Sequence, residues 1–263
     1  MKNSIFLLAF FGTMLLLTAC KTDVNTAESE IEPDEVPAEN LTFDERLKRQ
    51  ITGHLSIPAT EKYSTEIIRG FLNSDNIEDA VITINRLEYA KEQVAKAKNS
   101  KQIEEFGYMG NYNYFIFYDG KLDKLSVPIP VPSSAIQPLN AKLENITSEA
   151  HKDLTLEYRI YNAGFKNYYQ ISQGTLIKIF QVKLFDYLGT TTPEAFHLEY
   201  KSGSISNAKD IEVFAGRITN YDPIQSASYD FVPQIEKTSK RIRNWFYNPQ
   251  IQKYMTEDPT MVE

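Results

Sequence analysis

Leu154-Thr155-Leu156-Glu157-Tyr158-Arg159-Ile160-Tyr161 alternates apolar and polar side chains along its length. Successive side chains of a strand point to opposite faces, so a period of two describes a strand with one face on a core. This stretch sets the reading of its surroundings. From Leu139 onward short β-like runs recur at 167–173, 175–187, 195–201 and 210–219, with Ser202-Gly203-Ser204 as a turn between the last two. The exception is 233–247, where Ile235, Ile242, Trp245 and Phe246 suggest a final helix. Its basic residues Lys237, Lys240, Arg241 and Arg243 read as a solvated face or as a dock for an acidic partner.

Upstream, Thr42-Phe43-Asp44-Glu45 has capping-box spacing, and Phe43, Leu47 and Ile51 share one helical face that Gly53 can close. A strand is expected at 64–70. An Asn- and Asp-rich turn then leads into a second strand from Asp79 to Asn85, carried by Ala80-Val81-Ile82-Thr83-Ile84. Residues 88–105 read as an exposed helical insertion, since their apolar residues Ala90, Val94, Ala95 and Ala97 are few and small. Asn113–Tyr118 and 122–127 form a hairpin about Asp119-Gly120, after which Pro128, Pro130 and Pro132 predict an extended, non-pairing edge. The expectation is an α+β, β-rich and mostly antiparallel domain over 42–263. It has about eight or nine strands, an N-terminal helix, an inserted helix and a C-terminal helix, and shows no clean short-period repeat.

Sixteen Tyr and fifteen Phe against one Trp suit a β-rich core. A lone cysteine forbids an internal disulfide, so the domain must hold by packing. Charge is unevenly placed. Nine acids (Asp23, Glu28, Glu30, Glu32, Asp34, Glu35, Glu39, Asp44 and Glu45) fall between Thr22 and Glu45 with no base among them, while 26 acids and 26 bases follow from Arg46 on. With the net charge of −7 concentrated there and no basic stripe, nucleic acid is excluded as a partner.

The first nineteen residues have signal-peptide architecture: Lys2, then a nearly unbroken apolar run from Ile5 to Leu17, then Thr18 and Ala19. The run is too short to span a bilayer comfortably. Leu17-Thr18-Ala19-Cys20 resembles the lipobox of bacterial lipoproteins. That resemblance implies a signal cut before Cys20 and a Cys20 thiol carrying fatty acyl chains such as palmitate. Each buried methylene contributes about 0.8 kcal/mol, so two or more chains anchor firmly where one is marginal. Residues 20–41 read as the lipidated cysteine and a disordered acidic tether with a root-mean-square reach of ~25 Å. Acids soon after the cysteine also resemble surface-export signals of Bacteroidetes-type lipoproteins. The placement expected is the cell envelope, lipid-anchored in the outer membrane.

One stretch has a chemical shape. In Gly70-Phe71-Leu72-Asn73-Ser74-Asp75-Asn76-Ile77-Glu78-Asp79, oxygen side chains Asn73, Asp75 and Asp79 precede a strand, as in loops that hold a hard cation. Residues 64–127 resemble a degenerate FG-GAP or VCBS-type repeat, a family whose Asp-rich loop binds calcium. Here Phe71 replaces the leading aspartate and Asn76 the turn glycine, and Asn can adopt the left-handed conformation that turn requires. The loop therefore reads as a weakened calcium site or as a turn whose Asn and Asp side chains cap backbone amides.

No Gly-x-Ser-x-Gly elbow or phosphate-binding glycine loop is present, and His54, His151 and His197 have no ligand spacing. The Tyr-rich strands (Tyr108, Tyr112, Tyr114, Tyr118; Tyr158, Tyr161, Tyr168, Tyr169) supply core packing or a platform for sugars or peptides. The functional expectation is a membrane-anchored, non-enzymatic binding or accessory component of an outer-membrane or surface assembly, with an envelope protein or glycan as partner. The alternative is an envelope hydrolase acting on glycans or peptides.

Overall fold

Every residue of the strand Asp79–Asn85 is buried, because both of its faces are covered. A continuous apolar run is the signature of such a strand, and the layers on either side of it define the architecture. The computed structural model describes residues 41–256, which from Thr42 onward form one compact unit. Helix α1 (Phe43–His54) starts with the capping box: Glu45 N–H donates to the Thr42 hydroxyl at 3.3 Å, and Thr42 N–H donates to the Glu45 carboxylate at 2.8 Å. Strands β1 (Ser64–Gly70) and β2 (Asp79–Asn85) follow, then two short helices, α2 (Leu87–Ala95) and α3 (Ser100–Glu105). The insertion is thus two helices and not one, since Asn99-Ser100 suits a helix start better than an interior. Strand β3 (Met109–Asp119) pairs with β2, and its other edge carries β4 (Lys124–Leu125) and β5 (Ile129–Ser134). The proline segment was expected to stay unpaired; instead it forms the edge strand β5, where prolines with no N–H are tolerated.

An eight-stranded antiparallel meander follows, in chain order: β6 (Asn140–Glu144), β7 (Asp153–Ile160), β8 (Ala163–Ser172), β9 (Thr175–Asp186), β10 (Glu194–Lys201), β11 (Asp210–Ile218), β12 (Ile235–Asn248) and β13 (Lys253–Met255). Strands β9 and β10 meet only at Phe185–Ala195 and Asp186–Glu194. Beyond that corner the halves β6–β9 and β10–β13 face each other across Tyr168, Phe180, Ile211, Tyr247 and Tyr254. The other face of β6–β8 packs on the first sheet through Leu154, Leu156 and Tyr169 against Val81, Phe115 and Val131. Neighbours Tyr168 and Tyr169 serve opposite cores, as strand alternation requires. Helix α1 closes the far side of the first sheet, with Leu47 and Ile51 on Ala80, Ile82, Ile84 and Ile116. Truncating a fully buried residue such as Leu154 or Ile82 to Ala costs about 2–5 kcal/mol.

The helix expected at 233–247 is strand β12. Eleven residues of β12 (235–245) run opposite eight of β11 (211–218), so bulges interrupt the ladder. The extra residues break the period of two and leave Ile235, Ile242 and Trp245 at spacings that mimic a helix.

Strands β1–β2, β6–β7 and β10–β11 are three versions of one hairpin. In each, eight residues separate a closing pair whose second member is an aspartate: Gly70 with Asp79, Glu144 with Asp153, and Lys201 with Asp210.

Candidate functional site

The three aspartates open strands β2, β7 and β11 and are 0, 0 and 5 % exposed. Each carboxylate reaches back into its own loop. Asp79 Oδ2 accepts from Leu72 N–H (3.1 Å) and the Asn73 amide (3.2 Å), and its Oδ1 accepts from Gly120 N–H (3.1 Å). Asp153 Oδ2 accepts from Ile146 N–H (3.2 Å) and Thr147 N–H (2.5 Å), and its Oδ1 from the Thr147 hydroxyl (2.8 Å). Asp210 Oδ2 accepts from Ser204 N–H (3.1 Å), while its Oδ1 has no partner among the described residues. Buried amides need acceptors, and a carboxylate at the root of the loop supplies them. Burial pushes the Asp79 and Asp153 carboxyls above the ordinary value, and the amide and hydroxyl donors pull them part of the way back.

The loops are also tied to one another. Lys152 N–H donates to the Phe71 carbonyl (2.7 Å), and Lys209 N–H donates to the Ile146 carbonyl (2.8 Å), so loops 71–78, 145–152 and 202–209 lie side by side. The middle loop is braced internally: the Asn145 amide donates to the carbonyls of Ser148, Glu149 and His151, and Lys152 Nζ donates back to Asn145. In the third loop a Cβ on Gly203 would sit 2.0 Å from the Ala208 carbonyl oxygen and 2.2 Å from that of Ser206, so only glycine fits there.

Between the second and third loops opens a cleft of roughly 970 Å³. Thr147, Ser148, Ser202, Ser206 and Asn207 contribute hydroxyls and an amide, and Lys201, Lys209, His151 and Glu149 contribute ionisable groups. Lys209 pairs with Glu149 at 3.6 Å, and Lys201 pairs with Glu199 at 3.1 Å. Tyr200 also lines the cleft and carries it inward, where its hydroxyl meets that of Tyr168 at 2.9 Å.

Behind Tyr200 lies an ionic cluster. Lys166 Nζ sits 3.0 Å from Glu144 and 3.4 Å from Glu157. The Thr155 hydroxyl donates to Glu144 at 2.7 Å. Burial disfavours both charges, but Thr155 and Lys166 hold the Glu144 carboxyl below the usual range. Tyr200, Glu144 and Glu157 likewise hold the Lys166 ammonium above its usual value. The two carboxylates therefore share one cation.

The residues singled out as cation ligands are occupied otherwise. Asn73 Oδ1 accepts from Asp75 N–H (2.8 Å), Asp75 Oδ1 accepts from Ile77 N–H (2.9 Å), and Asp79 is committed as above. Asn76 takes the left-handed conformation expected of it, with φ +60°. Among the described residues no group of three His, Cys, Asp or Glu side chains is placed to hold a metal ion. Cys20 and the tether lie outside the described residues, apart from Leu41.

Of the histidines, His151 lines the cleft, His197 pairs across to Phe214 in the β10–β11 ladder, and His54 ends α1. The tyrosines are mostly structural. Tyr168 is fully buried, Tyr158 stacks on Phe165 and Tyr118 meets Phe43 edge to face, while Tyr161 forms an exposed pair with Phe106 at 4.9 Å between ring centroids. Within the basic patch Lys237 bonds Glu199 and Arg241 bonds Glu212.

Comparison with protein-family models, with curated proteins and with solved structures finds no match to this chain. The cleft residues were not singled out as a group by sequence reading. Their signal was an Asp opening an apolar-rich strand, continuous in Asp79-Ala80-Val81 and alternating in Lys152-Asp153-Leu154-Thr155-Leu156 and Lys209-Asp210-Ile211-Glu212-Val213. Intervals of 74 and 57 residues between those aspartates hide it from a search at fixed period.

Proposed function

We propose that this chain is a membrane-anchored envelope lipoprotein, held by acyl chains on Cys20, whose β-rich domain serves as a non-enzymatic binding or accessory component of an outer-membrane or surface assembly. The lipobox-like Leu17-Thr18-Ala19-Cys20 and the acidic spacer support the anchoring. The observation that carries the binding reading is the cleft at the loop edge. It is wide, carries hydroxyl and ionisable side chains, and is built on braced loops, with its lysines paired with carboxylates. Rigid elements presenting loops are the usual frame of a recognition site.

The alternative, an envelope hydrolase acting on glycans or peptides, would draw on Glu144 and Glu157 behind Tyr200. Glycoside chemistry with two carboxyls needs one of them kept protonated as general acid. Lys166 favours the opposite state for Glu144, which weighs toward binding.

Growth with labelled palmitate tests the anchor. Label should enter the wild-type chain and not Cys20→Ser, and only the wild type should sediment with membranes. Extraction of the intact protein in mild detergent should then bring down an envelope protein or glycan. An unlabelled wild-type chain, or a Cys20→Ser chain still bound to membrane, ends the proposal.

A further inference from the structure

We infer that the cleft between loops 145–152 and 202–209 binds an acidic oligosaccharide, a hydroxyl-rich chain carrying carboxylates. This deepens the reading of the domain as a binding component and rests on it.

Three features of the cleft select that chemistry. Its walls carry Ser148, Ser202, Ser206 and Asn207, side chains that both donate and accept and so match the hydroxyls of a sugar ring. An acidic peptide would instead call for clustered arginines, and none stands among the described residues that line the cleft. The floor includes Tyr200, whose ring offers flat apolar area of the kind that covers a sugar face. The charged groups leave a cation in excess, since Lys201, Lys209 and Lys237 share two carboxylates, Glu199 and Glu149.

The Lys201 and Lys209 side chains are accessible, at 53 and 34 % exposure, and their present partners are surface pairs at 3.1 and 3.6 Å. Pairs of that kind are weak, so a ligand carboxylate can replace either one. Size points the same way. A volume of roughly 970 Å³ exceeds what a single sugar or a free phosphate fills and lies near the top of the range for small-ligand sites, roughly 300–1,000 Å³. Rigidity helps too, because the Asn145 amide, the Lys209–Ile146 backbone bond and the Gly203 turn hold the walls in place before a ligand arrives.

The test is titration calorimetry on the full-length, detergent-solubilised chain, with trigalacturonate, neutral maltotriose and tri-glutamate as probes. Trigalacturonate should bind with the highest affinity. Lys201→Ala and Lys209→Ala should each weaken it by about tenfold, the usual size of a lost charge-assisted contact, with no change in melting temperature. Four outcomes would overturn the inference: no heat with trigalacturonate at millimolar concentration, equal affinity for maltotriose, equal or better affinity for tri-glutamate, or lysine variants that bind as the wild type does. Loss of trigalacturonate binding in a chain that still takes up palmitate and captures an envelope partner would overturn the ligand class alone. Binding that survives in a chain lacking the acyl label would overturn the anchoring alone.

Discussion

Replacing the three loop aspartates by alanine, one at a time, should cost stability in the order Asp153, Asp79, Asp210. Asp153 serves three donors, and two of them, the amides of Ile146 and Thr147, belong to a segment where Ile146 is only 2 % exposed. Those amides cannot turn to water without opening the loop. A lost bond to a charged acceptor costs about 1.5–3 kcal/mol, and an orphaned buried donor about 1–3 kcal/mol. Because the same amides enter both accounts, Asp153→Ala should cost about 3–5 kcal/mol. Asp79→Ala also strands three donors, but each of its bonds is 3.1–3.2 Å long, so a loss of about 2–4 kcal/mol is expected.

Asp210 is the informative member of the series. Among the described residues it accepts from Ser204 alone, and its second oxygen is buried without a partner there. Alanine there removes one good bond and one unfavourable burial, so the net loss should be about 1 kcal/mol or less. Urea unfolding of the whole chain reads the series. The signal is Trp245, the sole tryptophan, whose ring packs 5.0 Å from that of Phe180. An Asp210→Ala loss as large as that of Asp153→Ala would refute the reasoning, as would three losses of equal size.

Other outcomes follow from the same geometry. Asp153→Asn keeps an acceptor and removes the titration. Since the folded-state pKa of Asp153 is raised, the wild type gives up stability as pH rises from the unfolded value near 3.8 through the folded one, so unfolding at stepped pH should show Asn gaining on Asp over that window. Gly203→Ala and Gly120→Ala place a Cβ 2.0 Å from a backbone carbonyl oxygen and should lower the melting temperature sharply. Gly53→Ala, with open space around it in a helix, should raise stability by about 0.5–1 kcal/mol. Calcium or chelator should leave the melting temperature unchanged, because the Asn73, Asp75 and Asp79 oxygens already serve amides; a rise on adding calcium would restore the cation reading.

What sequence reading recovers here depends on how local the cause is. The apolar run of β2, the alternation of β7 and the Thr42–Glu45 box each hold their meaning within a few residues, and the strands Ser64–Gly70 and Asp79–Asn85 appear with the expected bounds. The turn role of the 70–79 loop was also one of the two readings its Asn and Asp side chains allow. What escaped is set by partners distant in the chain. Strand β12 is a strand because β11 offers it a ladder, and its bulges erase the alternation that would have announced it. The cleft joins two loops whose residues differ at nearly every aligned position: Thr147 answers to Ser204, but Ile146 answers to Gly203 and His151 to Ala208. Only the Lys-Asp pair (Lys152-Asp153 and Lys209-Asp210) and the strand after it are shared, and the equivalence shows itself as matching register, Glu144 to Asp153 and Lys201 to Asp210.

Apart from β3 with β5, each strand lies beside its immediate neighbour in the chain. Hairpins built this way close short loops, so ordering one strand costs little entropy once the previous one is in place. A polypeptide emerging from one end could therefore set its strands down in order of arrival, and no early segment would have to wait exposed for a late one to return and cover its edge.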